Sequence, residues 1–233
     1  MKKTRMAISS NKKIASKINV PLEPIPDDII EFVLQYRIIK GKPFSFDGRE
    51  YLIGLYRSPV RQINILKARQ MEITEMAINW LMYHLLRYDG TYGLYVTDRQ
   101  SHVEGFVDRM RLAISTSEKL KRRVASITNS SIKFVNGSVL YMITGWNKFE
   151  GARSYAIDFA VVDEAQSLDL ESLPVIQETL SKSIHRRLLI IGTGSDEGSD
   201  WHKVWSRGTQ MKWNEPKQVE EKTVNSQFSA GIG

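Results

Sequence analysis

The sequence contains no cysteine, which excludes disulfide bonds and thiolate metal sites. It has four histidines, and none of them stand at the paired spacing that is typical of zinc ligands. No apolar run approaches the ~18 residues that a membrane-spanning helix needs. The basic, Ser-rich N-terminus lacks the apolar segment of a secretory signal. We therefore expect a soluble, intracellular protein without a membrane partner.

Acidic residues are too few to balance the basic ones. The chain has 33 Lys and Arg against 26 Asp and Glu, which leaves a formal net charge of +7. An excess of positive charge favours polyanions, and nucleic acid is the commonest polyanion inside cells. The length of 233 residues is enough for one large domain with a sizeable core. Nucleic acid is thus the first partner to consider.

The middle of the chain alternates between short apolar runs and segments with helical periodicity. Strands are predicted at 62–68, 92–97, 156–163 and 187–193, and helices at 74–88, at 170–182, from an Asp98 cap and from about Ser199. Near the start, Pro26-Asp27-Asp28 opens a predicted helix through IIEFVLQYRII, and YLIGLYRS predicts a short helix or turn. Asn136-Gly137 predicts a hairpin between SIKFV and SVLYMIT. Strands that alternate with helices indicate an α/β protein with a mostly parallel sheet covered on both faces.

Ligands of open parallel sheets collect outside the carboxyl ends of the strands. One such end is FAVVDEAQ, where Asp163 and Glu164 follow a buried run. Nucleotide hydrolases use a carboxylate at this place to hold Mg²⁺, and an adjacent Glu can orient and deprotonate the attacking water. The alternative is a helix-capping Asp beside a solvent-facing Glu.

A second strand end is the loop that runs from Lys67 to Thr74. A strand, a tight loop and a helix N-terminus together form a phosphate-binding arrangement. The usual pattern G-x-x-x-x-G-K-[ST] is absent. When the pattern is aligned on Thr74, Lys67 replaces the first Gly, Glu72 the second and Ile73 the Lys. The alternative is a plain strand-to-helix connection with polar surface residues.

The third strand end is LIIGTGS, where the small residues Gly192, Thr193, Gly194 and Ser195 could approach a γ-phosphate. The alternative is a flexible Gly/Ser turn. In their order, these three segments resemble the N-terminal ATPase domain of large terminase subunits, the motors that package viral DNA. LKARQMEITEMAINWLMYHL resembles the deviant Walker A region, FAVVDEAQ the Walker B segment and LIIGTGS the coupling motif. The resemblance covers about residues 44–207 and implies a RecA-like P-loop NTPase fold of the ASCE class, a three-layer sandwich with a mostly parallel central sheet.

The resemblance also implies roles for individual residues. Lys67 and Arg69 would contact phosphates, Glu164 would be the catalytic base, and Thr74 and Asp163 would hold Mg²⁺. Arg153 stands where some terminases have an arginine finger, and its alternative role is a surface salt bridge. The implied ATP-binding loop comprises Lys67, Ala68, Arg69, Gln70, Met71, Glu72, Ile73 and Thr74, and the implied coupling segment comprises Gly192, Thr193, Gly194 and Ser195.

Glu72 and a group of three aromatic residues leave alternatives open. A carboxylate at Glu72 that faces a triphosphate costs of order 4 kcal/mol at 4 Å with an effective dielectric of 20, and a loop that needs positive φ strains a non-Gly residue. Either Glu72 points away or nucleotide binds weakly. Upstream, Phe44, Phe46 and Tyr51 could border an adenine, although packing in the core is favoured for at least two of them.

ATP and Mg²⁺ are the implied substrate and cofactor. The implied partners are double-stranded DNA, a portal protein and a small terminase subunit, with a homo-oligomeric ring on the portal and a monomer in isolation. The implied location is the cytoplasm of an infected host cell, and transiently the portal vertex of the procapsid.

We divide the chain into a basic arm (1–24), an ATPase domain (25–215) and a polar tail or linker (216–233) towards a nuclease domain that this sequence does not contain. Two other functions stay open. One is a helicase-like DNA-dependent ATPase, which the lack of a second RecA-like domain disfavours. The other is a non-catalytic nucleic-acid-binding module with a degenerate nucleotide site. Its support is the missing Gly-Lys pair and a basic cluster, which is also typical of a solvated helix face: Lys119, Lys121, Arg122 and Arg123.

Overall fold

The structure is a computed structural model that describes residues 21–145, 148–213 and 228–232. Its helices are α1 (Ile29–Tyr36), α2 (Tyr51–Tyr56), α3 (Ile73–Arg87), α4 (Gln100–Thr116), α5 (Glu118–Lys121), α6 (Leu173–Leu180) and α7 (Asp200–Ser206). Its strands are β1 (Ile38–Ile39), β2 (Lys42–Pro43), β3 (Gln62–Lys67), β4 (Tyr92–Thr97), β5 (Val124–Ile127), β6 (Ser131–Phe134), β7 (Val139–Thr144), β8 (Phe159–Val162), β9 (Arg187–Thr193), β10 (Met211–Trp213) and β11 (Phe228–Ile232).

Among the described residues, β3 to β11 form one nine-stranded sheet in the order β10-β11-β3-β9-β8-β4-β7-β6-β5. The five central strands, from β3 to β7 in that order, pair in parallel. Antiparallel strands extend the sheet on both sides. The predicted hairpin is confirmed, because β6 and β7 pair across Asn136-Gly137. The carboxyl ends of the central strands therefore lie along one edge of the sheet.

The central strands are apolar on both faces, as the continuous runs in the sequence require. In β8, Phe159 and Val161 point into the core cluster formed with α1 to α5, while Ala160 and Val162 point into the cluster formed with α6 and α7. The same alternation occurs in β9, because neighbouring side chains of a strand point to opposite faces. The result is a RecA-like three-layer sandwich, which confirms the predicted fold class.

Helix α3 is the most deeply buried helix of the described chain. Twelve of its fifteen residues are buried, so it is apolar nearly all round, as expected for a helix enclosed by other elements. Two helix starts follow from their caps: Asp28 accepts a hydrogen bond from the backbone N–H of Ile30, and Ser199 accepts one from His202. Both match the predicted starts, since Asp and Ser are preferred at this position.

The structure differs from the predictions in several places: the strand predicted at 156–163 spans Phe159–Val162, and the helix predicted at 170–182 spans Leu173–Leu180. The first predicted helix ends at Tyr36, because Lys40 and Gly41 both have positive φ and make a tight turn that pairs β1 with β2. The helix after β4 has Arg99, not Asp98, at its N-cap; the Asp98 carboxylate instead interacts with Arg99 and His102. Strand β5 was not predicted, because its pattern is only half-buried.

The two ends of the chain are only partly described. The predicted basic arm lies outside the described residues up to position 20. Within the predicted tail, residues 228–232 form β11, which pairs antiparallel with β3 and so belongs to the sheet. None of the described helices combines the length and the apolar character that crossing a membrane requires.

A buried histidine should make the stability of the fold depend on pH. His84 in α3 stacks on Phe159 with ring centroids 4.9 Å apart, and both its ring nitrogens lack a hydrogen-bond partner within the described part of the chain. Burial, together with the charges of Arg187 and His185, lowers the pKa of His84 to about 3. The folded state therefore keeps this ring neutral where the unfolded chain protonates it.

We predict that this group stabilises the fold above pH ~6.5 and that the contribution is lost as pH falls towards 3, by up to about 1.4 kcal/mol per pH unit. His84→Phe should flatten the dependence of the unfolding free energy on pH between ~6.5 and 4, measured by urea titration at each pH. The control His202→Phe changes a half-buried histidine of α7 and should leave the slope as it is. An unchanged slope in His84→Phe would contradict the prediction.

Candidate nucleotide-binding site

The three predicted strand ends meet at one place. β9 lies between β3 and β8 in the sheet, and Lys67 at the end of β3 stands in register with Thr193 at the end of β9. Val162, the last residue of β8, is in register with Ile190. The segments that begin at Lys67, Asp163 and Thr193 therefore emerge side by side, although they are distant in sequence.

Asp163 is a buried carboxylate, only 2% exposed. It accepts hydrogen bonds from Lys67 Nζ at 3.2 Å, Thr74 Oγ1 at 3.3 Å and Tyr95 OH at 3.1 Å. The backbone N–H of Glu164 donates to it at 2.9 Å. A buried charge is tolerated only when it is paired and hydrogen-bonded, and these four donors meet that condition. Burial, together with the charge of Asp163, raises the pKa of Tyr95, so this phenol stays a donor.

The ammonium group of Lys67 lies close to both acidic residues, Asp163 and Glu164. Its Nζ lies 3.2 Å from Asp163 Oδ1 and 3.6 Å from Glu164 Oε1, and its side chain is 10% exposed. Glu164 itself is half-buried, with φ of 56°, in the left-handed region. The strand end thus presents two adjacent carboxylates with one shared cation. A helix-capping role for Asp163 is not observed, because its side chain is occupied by these contacts.

The loop between β3 and α3 has the backbone shape for which glycine is usual. Gln70 and Glu72 have φ of 65° and 52°, and such values cost a non-Gly residue roughly 1–3 kcal/mol. Helix α3 begins directly after Glu72, at Ile73, whose side chain is buried in the core. The N-terminal end of α3 therefore opens next to Lys67 and Asp163, where an anion would meet free N–H groups.

The Glu72 carboxylate is turned towards Arg49 near the start of α2. Arg49 Nη2 donates to Glu72 Oε1 at 3.0 Å, and Arg49 Nε makes a second bond to the other carboxylate oxygen. The hydrogen bond from Arg49 holds the pKa of Glu72 below its ordinary value. The carboxylate is therefore engaged by Arg49, as the first of the two alternatives for Glu72 requires, while the residue itself lines the cavity described next. Nothing in the sequence pattern identified Arg49 as its partner.

A cavity of about 850 Å³ opens over these residues, within the range of ~300–1,000 Å³ that is typical of ligand sites. One wall is the loop, and Glu164, Gln166 and Thr193 line it beside the strand ends. Residues of α4 and of the turn that joins β1 and β2 also line the cavity. The predicted residues that line the cavity are Lys67, Arg69, Gln70, Met71, Glu72, Ile73, Thr74, Glu164 and Thr193.

Gln166 joins two of the strand ends and was not predicted. Its Nε2 donates to Glu164 Oε2 at 2.7 Å, and its Oε1 accepts from the backbone N–H of Thr193 at 3.0 Å. Because an amide side chain both donates and accepts, one residue fixes the orientation of Glu164 relative to the end of β9. The only signal in the sequence was its position two residues after Glu164.

In the predicted coupling segment, Gly192 is explained by packing. A Cβ added to Gly192 would lie 2.7 Å from two atoms of the Trp201 indole and 3.1 Å from Gln166 Oε1. The same indole donates from Nε1 to the carbonyl oxygen of Thr193 at 3.0 Å. Gly194 and Ser195 are exposed and do not line the cavity.

Several predicted residues lie apart from the cavity. Ala68 does not line it, and Arg153 is exposed and paired with Glu150 at 3.1 Å. Phe44, Phe46 and Tyr51 pack in or against the core and do not line the cavity, so no adenine contact follows from them.

The basic cluster is not a free surface patch. Arg123 is buried and donates to the Tyr36 hydroxyl at 3.1 Å, Lys119 pairs with Glu23 at 3.2 Å, and Lys121 pairs with a neighbouring glutamate. Arg122 also has an interaction partner. Each of these cations thus has an interaction partner within the chain.

No model of a known protein family matches this chain, and no curated protein matches it. Solved structures do match. The large terminase of bacteriophage HK97 has a TM-score of 0.66 and 17% identity over 76% of this chain, which spans 40% of that terminase. The large terminase ATPase domain of Thermus phage P74-26 has a TM-score of 0.57 and 17% identity, with 87% of this chain and 82% of that domain covered. The UvsW helicase of bacteriophage T4 has a TM-score of 0.50 and 12% identity, with 76% and 63% covered.

The chain thus has the fold of phage large terminase ATPase domains, and the similarity extends to a helicase. This confirms the predicted resemblance at the level of the fold. The chain spans less than half of the length of the HK97 terminase.

The close approach at Gly192 leads to a prediction. Gly192→Ala should lower the unfolding free energy by about 1–3 kcal/mol, because the added methyl group displaces the Trp201 indole in a packed region. Urea unfolding followed by tryptophan fluorescence measures the loss. The matched control is Gly194→Ala, where a Cβ meets nothing within 4 Å and stability should stay unchanged. Equal effects of the two substitutions would contradict this account.

Proposed function

We propose that this chain is the ATP-hydrolysing motor domain of a large terminase, which powers the translocation of double-stranded viral DNA into a procapsid. The observation that carries the proposal is the cluster of Lys67, Thr74, Asp163 and Glu164 at adjacent strand ends, beside a helix N-terminus and a cavity. The fold supports it, because the HK97 and P74-26 proteins with this fold are described as a large terminase and a large terminase ATPase domain.

In the proposed reaction, the triphosphate lies over the loop and the start of α3. Lys67 and Arg69 neutralise phosphate oxygens, and the free N–H groups of the first turn of α3 add a partial positive charge. Glu164 accepts a proton from a water molecule while the water oxygen attacks the γ-phosphorus. The bond from the γ-phosphorus to the bridging oxygen breaks, which releases ADP and phosphate. Gln166 holds Glu164 from its other carboxylate oxygen during this step.

The donor atoms present fit Mg²⁺. Thr74 Oγ1 and Asp163 Oδ2 lie 3.3 Å apart, and oxygen is the donor atom that this hard cation prefers. Mg²⁺ sites in nucleotide hydrolases use one or two protein oxygens together with phosphates and water, so Asp163 would act through a bound water. Thr74 and Asp163 would hold the ion, and its charge would stabilise the transferring phosphoryl group.

Assembly into a ring would complete the site. Arg153 is exposed, and among the described residues it pairs with Glu150, three positions before it on the same turn; the proposal has it leave this pair to enter the cavity of a neighbouring subunit. In this proposal the ring forms on a portal protein, together with a small terminase subunit, in the cytoplasm of the infected cell. Gly192 to Ser195 would transmit the loss of the γ-phosphate to the DNA.

A second candidate is a helicase-like, DNA-dependent ATPase, because the UvsW helicase has a similar fold. Strand-separation assays on forked duplex DNA distinguish the two. A terminase motor should hydrolyse ATP and move along duplex DNA without separating the strands.

We predict that Glu164→Gln lowers ATP turnover by about 100- to 10,000-fold, the usual contribution of a general base, and leaves ATP binding nearly unchanged. Phosphate release and calorimetric binding of ATP with Mg²⁺ measure the two effects. The control Glu171→Gln alters an exposed glutamate nearby and should turn over normally. If the variant keeps more than about a tenth of the turnover, the activation free energy has risen by less than ~1.4 kcal/mol. Glu164 would then not be the general base.

We predict that the specific activity of the wild type rises with protein concentration and that Arg153→Ala abolishes this rise, since arginine fingers contribute about 1,000-fold or more. Mixing Arg153→Ala with Glu164→Gln should restore activity, because each variant lends its intact group to the other. The control is Arg111→Ala, which removes an i,i+3 pair with Asp108 and a hydrogen bond to Asn129 and should behave as wild type. Constant specific activity in both wild type and Arg153→Ala would show that this arginine is structural.

A further inference from the structure

We propose that Arg49 is a positioning residue of the phosphate-binding loop, which holds Glu72 in its left-handed conformation and keeps the Glu72 carboxylate away from the phosphates. In this chain the Arg49–Glu72 ion pair takes the place of the loop glycine. The inference rests on the proposed nucleotide site and names the residue on which its binding competence depends.

Glu72 creates two difficulties at once. Its φ of 52° is a conformation that glycine adopts without strain. Its carboxylate is also attached one residue before α3, at the end of the helix where an anion is expected to bind. An unrestrained carboxylate here would occupy the N–H groups itself or repel the phosphates. Its orientation therefore decides whether the loop can bind nucleotide.

Arg49 controls that orientation through a two-point contact. Both carboxylate oxygens of Glu72 accept from the guanidinium, through Nη2 at 3.0 Å and through Nε. Such a fork fixes direction as well as distance, so the carboxylate cannot rotate towards the cavity without losing both bonds. Opposite charges in the pair also cancel the field that Glu72 would otherwise place beside the triphosphate.

The guanidinium is itself held in place. Its Cζ lies 5.6 Å from the centre of the Phe44 ring, and Phe44 is buried in the core. Close by, the Tyr51 hydroxyl donates to the carbonyl oxygen of Met71 at 3.0 Å. Two neighbouring loop residues, Met71 and Glu72, are thus tied to one rigid segment at the start of α2. Arg49 therefore connects the loop to the core through Phe44, in addition to pairing with the charge of Glu72.

Because the ion pair is partly exposed, its effect on the position of the loop can be measured separately from its effect on the stability of the fold. The two side chains are 31% and 35% exposed, and ion pairs of this kind contribute little to folding. Loss of Arg49 should therefore raise the Kd for nucleotide clearly, while the melting temperature changes little. Because Arg49 acts through Glu72, the effect should vanish when Glu72 is absent.

The test is a double-mutant cycle on the Kd for ATP with Mg²⁺, measured by calorimetry on the full chain. Arg49→Gln should raise Kd about tenfold, ~1.4 kcal/mol. Glu72→Gly should bind at least as tightly as wild type. In the Glu72→Gly background, Arg49→Gln should change Kd by less than about twofold, the limit of additivity for uncoupled sites. Arg49→Lys keeps the charge without the fork and should fall between wild type and Arg49→Gln.

The matched control is Arg57→Gln. Arg57 lies at the C-terminal end of α2, and the substitution removes its ion pair with Asp28. It should leave Kd unchanged. An unchanged Kd in Arg49→Gln would overturn the proposal. A loss that persists in the Glu72→Gly background would also overturn it, because Arg49 would then contact the nucleotide directly.

A second readout does not need nucleotide. Amide hydrogen exchange of residues 70–74 in the ATP-free protein should be faster in Arg49→Gln and unchanged in Arg57→Gln. If wild type fails to bind ATP, the proposed function fails, while exchange still decides the role of Arg49. Equal exchange in wild type and Arg49→Gln overturns the positioning role in either case.

Discussion

The buried carboxylate of Asp163 is the charge around which this edge of the sheet is organised. A carboxylate that is 2% exposed needs donors, and its side-chain donors come from the end of β3, the first turn of α3 and β4. Satisfying this one charge requires these three elements to converge beside the end of β8. The cavity opens where they converge, so the same interaction that stabilises the fold also assembles the candidate site.

The loop that faces Asp163 depends on its surroundings for its shape. Residues other than glycine keep a positive φ only where the surrounding structure holds them. Here the segment that contains Arg49 and Tyr51 contacts the loop directly. A chain that lacks the usual glycines can therefore still form a tight left-handed turn between β3 and α3. The conformational freedom that glycine would supply is replaced by tertiary contacts from α2.

A packed connection links the acid pair to the last helix of the domain. Gln166 bridges Glu164 and Thr193, and the Trp201 indole lies against Gly192 while it binds the carbonyl oxygen of Thr193. A change in the position of Glu164 would therefore reach the end of β9 through Gln166, and the Trp201 indole connects that strand end to α7. Such a connection is suited to transmitting a change at the cavity to the surface of the domain.

The order of apolar runs and helical segments was enough to predict the central parallel strands and to direct attention to their ends, because a buried strand is apolar on both faces and ligands collect at strand ends. Asp163 and Glu164 stood out at one such end, whereas the roles expected of Lys67 and Thr74 came from the resemblance to large terminases. The structure brings these four residues together. The first predicted helix was too long, since the hairpin after it depends on a turn at Lys40 and Gly41. Arg49, Tyr95 and Gln166 were not predicted. Their partners are set by strand order and loop packing, and the apolar pattern of a sequence specifies neighbours along the chain but not across the sheet.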